Sequence, residues 1–246
     1  MEINVKDKIQ QAIYNNNGLY EAIFANHQIK FKQTDLIRYS LEQTPPLYSN
    51  LVTISKDWKP DDIFGNIDIR YENEKWDEWS VKDSFGVLDL SEYGFTKLFD
   101  AQWIYIEAKK FKPYGTNGNL HYEIVTTENV LSAWRIAWDS DEQLGKEIFN
   151  PKLLNDSKVY FVAGYDGKQI VSGCFVNRTD NVLGISNFFA PDKNIKYWSE
   201  IISFIFGSIQ QMNIVGYERN ELADTLQTLG FVVVGDLTVW LKNRNV

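Results

Sequence analysis

The sequence predicts an α/β protein of the α+β kind, a mixed and mostly antiparallel sheet flanked by helices, with a smaller N-terminal lobe ahead of it. Three observations predict it. Residues 122–241 alternate short β-branched and aromatic runs with amphipathic stretches in the order β-α-α-β-β-β-α-β-α-β. The pair Asp166-Gly167 separates two strand-like runs, the mark of a tight hairpin and so of antiparallel neighbours. The 246 residues are 44% hydrophobic and 24% charged, enough to bury a core without a disulfide or metal staple.

Residues 5–24 read as a helix pair. Ile9, Ala12 and Ile13 repeat at helical spacing, Asn15-Asn16-Asn17-Gly18 supplies a stop, and Leu19 to Phe24 restarts the pattern. Pro45-Pro46 breaks the chain, and Leu51 to Ile54 is a strand. The stretch 57–79 holds eight acids against three bases, with Trp58, Trp76 and Trp79 interleaved. Such faces can receive a cationic or sugar-like ligand, although a charge run is more often a solvated surface. Ser84 to Leu90 and Ala101 to Glu107 read as strands. Lys109 to Asn119, with Pro113, Gly115 and Gly118, marks a boundary that divides the chain into lobes 1–111 and 112–246.

The second lobe begins with a strand at Tyr122 to Val125. Thr127 then caps a helix carrying Val130, Leu131, Trp134 and Trp138 on one face, a stripe suited to core packing. Leu144 to Leu154 is a helix bent or ended near Pro151. Val159 to Gly164 and Gln169 to Val176 form the hairpin, and Val182 to Phe189 is a strand closed by Ala190-Pro191. A long helix follows over about 196–212, then a strand at Ile214 to Tyr217. The helix Glu221 to Leu229 stops at Gly230, and Phe231 to Leu241 is the closing strand.

Composition narrows the chemistry. A net charge of −8 repels phosphate backbones and excludes a nucleic-acid partner. No run approaches the roughly 18 apolar residues of a membrane span, and the first residues lack an apolar leader, so the expectation is a cytoplasmic protein without a membrane partner. Cys174 lies in an apolar strand with no cationic neighbour, as an inert buried thiol does. His27 and His121 are far apart and without further ligands at metal spacing, so no metal site is expected. Neither a nucleophile elbow nor a phosphate-binding P-loop is present.

The element order over 122–241 resembles the GCN5-related N-acetyltransferase (GNAT) fold, and three short words resemble it too. Val162 to Gly173 looks like the family's central hairpin, Leu229-Gly230-Phe231 like the exit of its closing helix, and Phe189-Ala190-Pro191 like the strand end before its cofactor helix. The resemblance covers about half the chain. It implies transfer of an acetyl group from acetyl-CoA to an amine, borne by a small molecule or a peptide. The pantetheine arm would lie along Asn187, Phe188 and Phe189, the pyrophosphate would reach the helix start at Asn194, Tyr197 and Ser199, and Asn220 would contact the cofactor arm. Glu218, following the strand 214–217, would be the base that deprotonates the amine.

Two features depart from the family's pattern, the pyrophosphate-binding turn and the closing helix. Asn194 stands where it has an arginine, Tyr197 and Ser199 where it has glycines, and Leu226 where it often has a thiolate-protonating tyrosine. The sequence therefore leaves two functions open: an N-acetyltransferase, or a non-catalytic relative whose degenerate CoA site serves binding or assembly. The oligomeric state is also open. The first half carries an echo of the second, with Tyr93-Gly94-Phe95 and Asp100 spaced like Leu229-Gly230-Phe231 and Asp236, and with Asn50 to Thr53 aligned on Asn213 to Gly216. That echo is either a tandem architecture with one decayed half or the chance recurrence of a short pattern.

Overall fold

The computed structural model describes residues 4–40, 42–57, 78–115, 120–140, 142–192 and 194–243. The expected acidic segment 57–79 therefore lies almost wholly outside the described residues. Among these residues eleven strands form one sheet: β1 (Phe31–Gln33), β2 (Ile37–Ser40), β3 (Leu51–Thr53), β4 (Glu78–Asp83), β5 (Thr96–Ile106), β6 (His121–Ile124), β7 (Val159–Asp166), β8 (Gln169–Thr179), β9 (Val182–Phe189), β10 (Asn213–Glu218) and β11 (Val232–Asn243). Their spatial order is β1-β2-β3-β4-β11-β5-β10-β9-β8-β7-β6. All neighbours are antiparallel except β3/β4 and β9/β10.

Among the described residues five helices flank the sheet: α1 (Val5–Asn26), α2 (Glu128–Trp138), α3 (Glu142–Ile148), α4 (Ile195–Ser208) and α5 (Asn220–Leu226). Helices α1 and α2 share core clusters with one set of strand residues, including Trp103, Phe161 and Phe175. Helices α4 and α5 pack on the alternate set, including Ile104, Val162 and Cys174. The period of two along each strand therefore places the helices on opposite faces. Trp134 is fully buried, stands edge-on to Phe149 and Phe161, and donates its indole N–H to the Val162 carbonyl at 2.9 Å.

The two halves interlock. β5, the last strand of the first half, pairs with β10, while β11, the last strand of the second, pairs with β4 and with β5. Each half thus lends its final strand to the other. The echo seen in the sequence has a structural basis at these strands. A short 3-10 turn precedes each, ending at Gly94 (φ 78°) or Gly230 (φ 101°), a left-handed position that favours glycine. The upstream part of the echo is corrected. β4, not Asn50 to Thr53, occupies the position equivalent to β10, because β3 pairs parallel with β4 as β9 does with β10.

Two further expectations are corrected. The helix pair over 5–24 is one uninterrupted helix, and its asparagines are tertiary anchors rather than a stop. Asn15 Nδ2 donates to the Asn177 carbonyl at 3.3 Å and Asn177 Nδ2 returns a bond to the Asn15 carbonyl at 3.0 Å. Arg38 donates to the Asn17 carbonyl at 3.2 Å. Such bonds outweigh the weak helix preference of Asn and Gly. The strand expected at 84–90 is a loop after β4. The buried Asp83 carboxylate accepts from the N–H groups of Phe85, Val87 and Leu88 at 2.6–3.1 Å, which winds the chain around it and ends the strand.

Candidate functional site

β9 and β10 pair only as far as Gly184 and Val215, then diverge. At Gly216 a side chain would meet the Ile185 carbonyl at 2.9 Å, so this glycine lets the strands touch just before they part. Beyond it β9 bulges, since Gly173 and Phe175 of β8 face Phe189 and Ser186 respectively. The bulge carries Asn187 at φ 52°, a left-handed position that asparagine tolerates better than most residues. Among the described residues the β10-facing side of 185–189 consequently has no ladder partner.

A cavity of about 570 Å³ lies at this opening, within the size range of small-molecule sites. It is shared by both halves: α1, the segment 43–50, β4, β5 and β11 line it together with the ends of β9 and β10. Of the residues the sequence singled out, Asn187, Phe188 and Glu218 reach it. Glu218 is half-buried, and its carboxyl has no hydrogen-bond or ion-pair partner among the described residues. Loss of water around it pushes its carboxyl up to about 7. At neutral pH it can therefore take a proton and release it again.

Four aromatic and basic residues of this cavity were not legible in the sequence. The Lys82 ammonium is buried beneath the rings of Tyr20 and Tyr217, 5.1 and 4.5 Å from their centroids. It donates to Asn16 Oδ1 at 3.2 Å and to the Tyr217 hydroxyl at 3.5 Å. Burial opposes its charge, yet the oxygens of Tyr20 and Tyr217 hold its pKa above the usual lysine value. Tyr48 lines the cavity with Asn187, and burial raises its phenol well above the usual value. In sequence, Lys82 falls between the acidic stretch and the strand expected at 84–90; only β4 and the fold turn it inward.

The remaining expected residues lie elsewhere. Phe189 turns away to meet Trp134 edge-on at 5.3 Å, whereas Phe188 stacks on Trp198 at 4.2 Å. Asn194 caps α4, its side chain accepting the Lys196 N–H at 3.0 Å and its carbonyl the Tyr197 N–H at 3.2 Å. Tyr197 is buried under Lys196, and the Ser199 hydroxyl accepts the Tyr114 N–H at 2.7 Å. The segment before β6 thus lies against the start of α4. Asn220 begins α5 two residues after Glu218. Leu226 is fully buried among the α4 and α5 core residues. Among the described residues no cluster of His, Cys, Asp and Glu could hold a metal, and no helix is long and apolar enough to cross a membrane.

Comparison with solved structures decides the fold. A conserved Staphylococcus epidermidis protein of unknown function superposes with a TM-score of 0.68 at 16% identity, over 89% of this chain and 97% of that one. A GCN5-related N-acetyltransferase from Kribbella flavida gives a TM-score of 0.64 at 11% identity, over 96% and 95% of the two chains. The chain has the GNAT fold. A tandem GNAT protein from the clavulanic acid biosynthesis pathway matches at 0.55 and 6% identity, over 84% of this chain and 78% of that one. No protein-family model matches the sequence, and no curated protein is similar to it. The two parallel strand pairs and the exchanged final strands are thus a two-lobed variation on the GNAT sheet.

Proposed function

We propose that the protein is an N-acyltransferase that moves an acetyl group from acetyl-CoA to an amine held in the shared cavity, with lobes 1–111 and 112–246. The observation that carries the proposal is Glu218, a dehydrated carboxyl at the cavity wall beside the diverging strands. The thioester supplies an activated carbonyl and departs as a thiol. Glu218 accepts the proton that the amine loses as its nitrogen bonds to that carbonyl, and its pKa near 7 suits it to that task. The open edge 185–189 offers backbone groups to the pantetheine amides. Leu226 cannot donate a proton, so the departing thiolate takes one from water.

The start of α4 fits the pyrophosphate less well. Asn194 already satisfies the Lys196 and Tyr197 N–H groups, and no arginine is present there. That observation favours the second function, a GNAT-fold binding protein with a degenerate CoA site. A thiol-release assay with acetyl-CoA and a panel of amines, amino acids and peptides separates the two. Transfer to at least one acceptor, reduced about 100-fold or more by Glu218→Gln, supports the enzyme. Silence across the panel supports the binding protein.

A further inference from the structure

The cavity holds a buried cation that the acyl transfer itself does not use. Lys82 is only 2% exposed, and lysine is seldom buried to that degree unless paired with an opposite charge. Its partners among the described residues, Asn16 and the tyrosines, are neutral, and no carboxylate lies within 4.0 Å of it there. Its bonds of 3.2 and 3.5 Å are long beside the 2.7–2.9 Å of charge-assisted pairs. The other charged groups lining the cavity among the described residues are Glu218 and, more exposed, Glu78. A cation set deep and carboxylates elsewhere on the wall match a ligand bearing both charges. Leu19, Pro46, Leu47, Leu98 and Phe99 supply apolar surface between them.

We propose that the cavity binds an aminocarboxylate with an apolar side chain, a free amino acid in the simplest case, its carboxylate on Lys82 and its amine toward Glu218. This rests on the acyltransferase function for the fate of the amine, but the binding geometry does not depend on the acyl donor. Lys82 and Glu218 are not an ion pair, so a ligand spans them and supplies the counter-charge that Lys82 lacks.

Calorimetry without any acyl donor tests this on the wild-type chain. The probes are L-phenylalanine and L-leucine, their decarboxylated amines, their deaminated acids, and β- and γ-amino acids to set the charge spacing. At least one aminocarboxylate should bind about 10- to 150-fold more tightly than its decarboxylated amine, the worth of one charge-assisted bond. Lys82→Met should erase that preference; since the preference is read on the wild type, the test survives a variant that fails to fold. Equal or tighter binding of the amines, or no binding by any aminocarboxylate, overturns the proposal while leaving acyl transfer to other amines intact. Binding of an amino acid with no thiol released from acetyl-CoA overturns the acyltransferase function and leaves the aminocarboxylate site standing.

Discussion

Replacing Glu218 by Gln tests the dehydrated carboxyl directly, through stability rather than activity. Raising a glutamate from its ordinary 4.5 to about 7 means that the folded chain holds the protonated form more tightly than the unfolded chain does. At about 1.4 kcal/mol per pH unit, the ionised form costs the native state about 3 kcal/mol as an upper value. The sign follows from the order of the two values. Below pH 4.5 both states are protonated and the cost is absent; it grows as pH rises and is complete above about 7. Glutamine mimics the neutral acid, so Glu218→Gln should melt close to the wild type at pH 5 and roughly 5–10 °C above it at pH 8. Differential scanning calorimetry at both pH values reads the gap. A gap of the same size at pH 5 and pH 8 would refute the raised value, and with it the choice of Glu218 as the base.

Three more outcomes follow from the packing. A Cβ on Gly18 would collide with Thr179 Oγ1. Gly18→Ala should therefore cost about 1–3 kcal/mol in urea unfolding, but should stabilise by up to about 1 kcal/mol in a Thr179→Ala background, where only the helix preference remains. Cys174 is fully buried and its thiol is pushed far up by that burial, so it should resist maleimide in the native protein and label fully in guanidinium, as mass spectrometry would show. Acetyl-CoA should bind with a Kd of about tens of micromolar or weaker by calorimetry, since a charge-assisted contact is missing at the start of α4; sub-micromolar binding would contradict this account of that turn.

Much of the second half was legible because its local signals agree with its tertiary role. Asp166-Gly167 makes the turn between β7 and β8, Thr127 caps α2 through its side chain, and Gly230 ends the turn before β11. The first half was less so. Its asparagines look like a helix stop until Asn177 and Lys82 are brought to them from distant strands. Asp83 ends β4 through bonds that no periodicity encodes. The same divide runs through the site. Glu218 follows a recognisable strand, but the cavity it lines needs residues from α1 and β4, whose proximity only the exchanged strands create.

That exchange governs how the chain can reach its native state. β4 meets β11 through pairs such as Asp83 with Thr238, more than half the chain apart. On a ribosome adding about 5–20 residues per second, the first half therefore waits roughly 10–30 s with one strand edge bare. An unpaired edge is a template for the wrong neighbour, including the same edge on another nascent copy. The protein's yield in a cell should accordingly depend on chaperones that shield this edge and on temperature. Separately expressed halves should each precipitate, yet recover one another's solubility when made together.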